Sequence, residues 1–347
     1  MQEESNAESY YPSPEQLTDI KLPNELPNFG DLVNKNPIQA IAALRKFSEN
    51  FTDPYYVGKL LAITKIIKPD KRTEALFNTG IPTLPILYFF FSTMNTEFTT
   101  VLDSAQVNFS LIAFPNVSSQ LRTIFAVFAD TYLAKNQNCR MATSEIQSIA
   151  ISFVAFHSFF NTKTIIPPEE FKSYYHKSAF PIENALLIYN NLIARVYKIN
   201  YTFGEYNAPI NVTMSGQISC KRSLFKLVKN MFLKISGFWL DVYSDSKAEK
   251  PKIKLLLHDV NSTVYKKDED YILEITSNSK SKLVIGPNKL YDETNYIITG
   301  DSKDQLEEWR HVINFVAFHC TLHALIDQEI AKGEINGDYS FALQSKA

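Results

Sequence analysis

Residues 102 to 136 read LDSAQVNFSLIAFPNVSSQLRTIFAVFADTYLAKN. Leu121, Ile124, Phe125, Phe128 and Tyr132 recur there at i, i+3, i+4, i+7 and i+11, one apolar stripe along a helix over residues 120 to 134. The helical period extends to both sides, from about Asn34 to Tyr197. Upstream, Pro37 to Leu44 opens a helix with Pro in the first turn, where its missing N–H costs nothing. Downstream, Ile146 to Phe160 is apolar on most faces, as a central helix is, and Ala185 to Tyr197 repeats the stripe.

The pattern changes near residue 205. Short β-branched and aromatic runs follow, and Met231 to Ile235, Ser236-Gly237 and Phe238 to Tyr243 read as a hairpin. Further strands are expected at Lys252 to Leu257, Tyr271 to Thr276, Lys282 to Ile285 and Tyr296 to Thr299. After Asp301 the helical period returns, capped by Asp301 or Ser302, with Leu306, Trp309, Ile313 and Val316 as its buried stripe. Six or seven strands closed by one amphipathic helix make a small barrel or sandwich with a plug. The chain thus divides into an acidic disordered tail at 1–30 (six acids, one base, four prolines), a helical domain at 31–204, a β domain at 210–325 and a C-terminal tail at 326–347.

Composition removes several function classes. With 45% apolar residues, 21% charged residues and a net charge of −2, the chain is globular, and near-neutral charge disfavours nucleic-acid binding. Its ten glycines include no pair spaced as G-x-G-x-x-G or as a P-loop, and in the single G-x-x-x-G, Gly333 to Gly337, Ile335 stands where a nucleophilic Ser would sit. Cys139, Cys220 and Cys320 form no C-x-x-C pair, and their odd number speaks against a disulfide framework and for a reducing compartment. The acidic start carries no apolar run, so no secretory or transit signal is expected, and the six N-x-[ST] sequons read as chance. His319-Cys320-x-x-His323 places two His on one helix face with no third donor, so the pair is expected as surface histidines and no metal or cofactor is implied.

VNKNPIQAIAAL at 33–44 resembles the opening F-N-x-K-P-x-x-G-I-x-x-L of the Sec-seven domain, the exchange domain for Arf-family GTPases. The run from Leu102 resembles that family's A-L-R-x-F-L-x-x-F-x-L-P-G-E-A-Q-x-I-D-R-I-x-x-x-F-A-x-x-Y-x-x-x-N, with Phe128, Ala129 and Tyr132 on its Phe, Ala and Tyr. SEIQSIAISFVAFHSFFNTKT and PPEEFKSYY follow in the order of the next family helix, its L-N-T-D-x-H motif and its M-T-x-x-E-F segment. Over about residues 212 to 320 the chain resembles a pleckstrin-homology (PH) domain, with DQLEEWRHVINF and Trp309 as its terminal helix. The resemblances imply an all-α right-handed superhelix followed by a PH-like sandwich, an Arf-like GTPase as partner, and a peripheral place on cytoplasmic membrane faces.

In that family a Glu directly after the L-P-G turn enters the GTPase's nucleotide site, where its charge competes with the β-phosphate and displaces Mg²⁺. The corresponding turn here is Phe114-Pro115-Asn116-Val117, with Val117 in the Glu position and no acid between Asp103 and Asp130. An uncharged side chain cannot repel a phosphate, and losing one preorganised electrostatic group costs roughly 10²- to 10³-fold in rate. Asn116 replaces the turn's Gly and tolerates a left-handed backbone better than most residues. Phe156-His157-Ser158-Phe159-Phe160 replaces most of the second motif, with Asn161 after it. By spacing alone Phe114, Phe125, Phe128, Phe156 and Phe159 are core residues. The resemblance places Phe114, Pro115, Asn116, Val117, Phe156, Phe159 and Asn161 at the GTPase groove. It implies either a divergent exchange factor or an inactive pseudo-exchange factor that binds a GTPase or membrane as a scaffold; a helical adaptor with no GTPase partner is the third alternative.

Lys221, Arg222, Lys226, Lys229 and Lys234 put five positive charges and no acid into fourteen residues. They fall where PH domains carry the loop of the inositol-phosphate cradle, so Lys221, Arg222, Lys226 and Lys229 are expected to meet an anionic or phosphoinositide membrane surface, or else to form a solvated basic edge. Asn230 stands near the Arg of the family's K-x-R.

Overall fold

The computed structural model describes residues 28–47, 49–97, 99–160, 167–169, 182–195, 197–204, 213–222, 227–279, 283 and 294–331. The acidic tail up to residue 27, Asn161, most of PPEEFKSYY, Lys226, most of the strand expected at 282–285, and residues 332–347 lie outside them.

The first half is helical: α1 (Phe29–Lys35), α2 (Pro37–Phe47), a 3-10 turn (Glu49–Thr52), α3 (Pro54–Ile63), α4 (Pro69–Asn78), α5 (Thr83–Ser92), α6 (Val101–Phe109), α7 (Ser118–Lys135), α8 (Thr143–Phe160) and α9 (Ile182–Ala194). Local chemistry sets the starts. The Asn36 Oδ1 accepts from the Gln39 N–H at 3.0 Å, and the Asp53 Oδ1 accepts from the Tyr55 N–H at 2.9 Å with Pro54 behind it. At the head of α6 the Thr100 hydroxyl accepts from the Asp103 N–H at 3.1 Å and donates to the Asp103 Oδ2 at 2.7 Å. The stripe expected on α7 is buried in full, and Phe153 and Val154 make α8 the central helix.

Two departures from an all-α unit and from the expected boundaries matter. A short parallel ladder, β1 (Ala113–Phe114) with β2 (Asn200–Tyr201), ties the segment before α7 to the end of the helical half. Phe29 and Gly30, assigned by composition to the tail, belong to α1 and are buried, because Phe29 is an anchor that a count of acids does not reveal.

The second half is two antiparallel sheets and a helix, the arrangement of a PH-like sandwich. β3 (Thr213–Arg222), β4 (Leu227–Ser236), β5 (Trp239–Tyr243) and β6 (Ile253–Leu256) form the first sheet; β7 (Val260–Lys267), β8 (Asp270–Ser277) and β9 (Asn295–Gly300) form the second. The β4–β5 hairpin turns at Gly237, whose φ of 58° a side chain would resist. The closing helix, α10 (Lys303–Ala331), packs Leu306, Trp309 and Ile313 against the sheets as its period predicts. It does not end near residue 325. Its later turns bury Phe318, Leu322 and Ile326 and run along α8, so a single apolar core extends from Phe29 to Ile326 through both halves. No helix among the described residues is long and apolar enough to cross a membrane.

Candidate functional site

The turn Phe114-Pro115-Asn116-Val117 leads from β1 into α7, and three groups fix its approach. Arg72 on α4 is buried and donates to three main-chain carbonyls, from Nε to Leu61 at 2.9 Å, Nη1 to Leu111 at 2.6 Å and Nη2 to Thr64 at 2.8 Å. Beside it the Thr73 hydroxyl donates to the Ala113 carbonyl at 2.8 Å and accepts from the Ala113 N–H at 3.0 Å. Phe114 then stacks on Phe125 at 5.6 Å and meets Phe109 edge-on at 5.0 Å. Buried main-chain groups need partners, and α4 supplies them to the segment before the turn.

Val117 is the N-cap residue of α7, extended at φ −122°, and it offers no side-chain acceptor. A helix start leaves N–H groups unmet and carries partial positive charge. The missing acceptor arrives from the second half: the Asp259 Oδ1 accepts from the Ser118 N–H at 2.8 Å. Asp259 holds a φ of 50°, its N–H donates to the Thr321 hydroxyl at 3.2 Å, and its carbonyl accepts from the Asn278 N–H at 2.9 Å. Asn116 is 5% exposed. Its Nδ2 donates to the carbonyls of Val260 at 2.9 Å and Asn314 at 3.3 Å, and its own carbonyl accepts from Asn278. Asn116 is not in the left-handed region anticipated for it; Asp259 is. Neighbouring carbonyls of the second half hold the turn instead of a special backbone.

The expected groove residues therefore separate. Phe114 and Phe156 are buried, as are Phe125 and Phe128, so these four are core side chains as their spacing indicates. Pro115 and Asn116 are covered, and Val117 is half-buried. Phe159 lies in the last turn of α8. Of the basic residues, Lys221 and Arg222 close β3 and Lys229 lies on β4, Lys221 opposite Val228 and Lys229 opposite Cys220 on adjacent rungs.

The histidine pair on α10 is not on the surface. His319 is buried with Nε2 2.6 Å from the Ser158 hydroxyl of α8, and His323 is half-buried with its ring 5.3 Å from that of Phe238. An amphipathic period reckoned for a helix covering one sheet does not anticipate a second partner, α8, on the opposite face. His157 has both ring nitrogens engaged, Nε2 at 3.1 Å from the Tyr197 carbonyl and Nδ1 at 2.9 Å from the Tyr201 hydroxyl. The carbonyl fixes Nε2 as the donor, so Nδ1 accepts from Tyr201. Burial holds His157 down to about 4, His319 well below the usual imidazole range, and pushes Tyr201 well above the usual phenol range. These groups are locked neutral and serve packing. No group of three or more His, Cys, Asp or Glu side chains that could hold a metal occurs among the described residues.

Asp259, Asn278 and Asn314 were invisible to sequence reasoning because each acts across more than forty residues of chain or on another element's backbone. Arg72 could have been suspected only as a charged residue on the apolar side of α4.

No protein family's sequence profile matches the chain, and no curated protein does. Among solved structures it is similar to the Sec7p catalytic domain, at 14% identity and a TM-score of 0.42 over 49% of this chain and 97% of that one. It is also similar to a chimera joining the Sec7 domain of Rickettsia prowazekii RalF to the capping domain of Legionella pneumophila RalF, at 13% identity and a TM-score of 0.42 over 94% of this chain and 100% of that one. RalF itself matches at 11% identity and a TM-score of 0.39, over 97% of this chain and 99% of that one.

Proposed function

We propose that the chain is a regulator of an Arf-type small GTPase that binds its partner at the head of α7 without catalysing nucleotide release. The observation that carries the reading is the turn from Phe114 to Val117: it opens the long helix α7 beside α8, in the order of the Sec-seven motifs, and it has lost the one charge their chemistry requires. Val117 brings neither repulsion toward a phosphate nor competition for Mg²⁺. The carboxylate nearest the helix start, on Asp259, is itself engaged by the Ser118 N–H.

In this conformation Asn116 and the start of α7 are covered by β7, Asn278 and α10. Engagement of a GTPase there requires the second half to move aside. The PH-like half suits a peripheral role on a cytoplasmic membrane face, with Lys221, Arg222, Lys226 and Lys229 as the groups meeting anionic lipid. Nucleotide release and binding, measured with purified Arf proteins and the full chain, test both parts. Accelerated release would overturn the non-catalytic part, and absence of binding to any Arf protein would overturn the GTPase part.

A further inference from the structure

The outer edge of β7 is already treated as a strand-pairing edge by two asparagine side chains. The Val260 carbonyl accepts from the Asn116 Nδ2 at 2.9 Å; the Ser262 N–H donates to the Asn314 Oδ1 at 2.7 Å and the Ser262 carbonyl accepts from the Asn314 Nδ2 at 3.1 Å. The Asn314 amide thus makes the two bonds a neighbouring strand would make. In an antiparallel pair every second residue directs both main-chain groups away from its partner, so Val264 and Lys266 point theirs the same way as Val260 and Ser262. Among the described residues β7 pairs with β8 alone.

Beside Val264 lies a cleft of about 440 Å³ between β7 and the first turns of α10, walled also by Phe203 and Asn116. That volume falls in the roughly 300–1,000 Å³ range of ligand clefts. Asn116 is 95% buried (5% exposed), and its Oδ1 has no hydrogen-bond partner. Arg310 gives a small anion little to hold, because Glu307 already matches its charge at 2.5 Å.

We infer that this cleft binds an extended polypeptide segment of a partner, which adds as a short strand to β7 at Val264–Lys266. A peptide backbone carries both kinds of group the edge needs: an N–H for the Val264 carbonyl and a carbonyl for the Val264 N–H. Exposed Lys266 and Lys267 stand where the segment leaves the cleft, with Asp268 and Glu269 exposed beside them, so that end carries both signs and the selection falls on the backbone of the segment. Such lysines on an edge also discourage pairing with a second copy. The inference is independent of the GTPase reading, because it uses only the edge of β7 and the facing side of α10.

The test is panning of a random dodecapeptide display library on the immobilised full chain, followed by fluorescence anisotropy with synthetic copies of the enriched peptides. Enriched peptides should bind about tenfold more weakly to Val264→Pro, the factor that losing one well-aligned hydrogen bond gives. That substitution removes an N–H directed away from β8, a position at which an edge strand accepts Pro. N-methylation along the peptide supplies a second readout that leaves the protein untouched, and it should weaken binding at every second residue. Failure to enrich any peptide, binding unaffected by Val264→Pro, or N-methyl effects without the alternation would each overturn the inference. Self-association that buries the same edge, seen by sedimentation, would replace the partner segment with a second copy and would also overturn it.

Discussion

Asp259 caps α7 from 141 residues away, its carboxylate 2.8 Å from the Ser118 N–H. One contact thereby joins the turn between β6 and β7 to the helix start at which the Sec-seven resemblance places the catalytic carboxylate, and its polarity is reversed. The first half does not present an acid at this point; it receives one.

The cap predicts a graded stability series at residue 259. Asp259→Asn removes the charge at the helix start, and Asp259→Ala also leaves the Ser118 N–H without its partner and keeps the strained backbone; the second should cost about 1–2 kcal/mol. Asp259→Gly also lacks the carboxylate but relieves the φ of 50°, so it should be more stable than Asp259→Ala. Urea midpoints at constant slope check the order, and an alanine variant as stable as the native chain would contradict the cap.

Arg72 should be among the most sensitive positions of the helical half. Replacing it by Met leaves the carbonyls of Leu61 and Leu111 without the donor that Arg72 supplies and Thr64 with the Ile67 N–H alone, at a cost of about 3 kcal/mol or more. Lys cannot restore three divergent bonds with one ammonium held at a single point, so Arg72→Lys should recover only part of the loss. Thermal melts of the two variants test this.

Acid should unfold the chain through its buried imidazoles. His157 is depressed from 6.5 to about 4 by burial, so the unfolded state takes up its proton first. The stability is fully present above 6.5 and falls by up to about 1.4 kcal/mol per pH unit between 6.5 and 4. His319, depressed in the same direction by burial and by His323, steepens the loss. Urea midpoints at pH 7, 5.5 and 4.5 should decline, and His157→Gln should flatten the decline.

Charge reversal at the β3–β4 end tests the proposed membrane role. Each lysine near an anionic surface contributes about 1 kcal/mol, so Lys221→Glu with Lys229→Glu should strongly reduce flotation with phosphoinositide liposomes. Unchanged flotation would leave these residues as a solvated edge.

Much of the architecture was legible in local pattern. The stripe from Leu121 to Tyr132, the hairpin punctuated at Gly237 and the run from Leu306 to Val316 each carry their period in a few consecutive side chains. β7 escaped notice because its sequence, VNSTVYKK, puts Ser262 and Lys266 at positions where a strand's alternation calls for apolar residues, and its outer edge is satisfied by Asn116 and Asn314, not by another hydrophobic strand. His319 was misplaced for a related reason: α10 has two packing partners, and a single amphipathic face accounts for one. The covering of Asn116 depends on contacts such as that with Val260, 144 residues away, which no local signal encodes.

The rate of GDP release from a purified Arf-family GTPase is the most direct measure of whether position 117 has abandoned exchange chemistry. The native chain should leave that rate unchanged. Val117→Glu, introduced together with Asp259→Ala and Asn314→Ala to loosen the cover over the turn, should raise it by roughly 10²-fold or more. Acceleration by the native chain, or an inert Val117→Glu variant that still binds the GTPase, would contradict the proposed role of the turn.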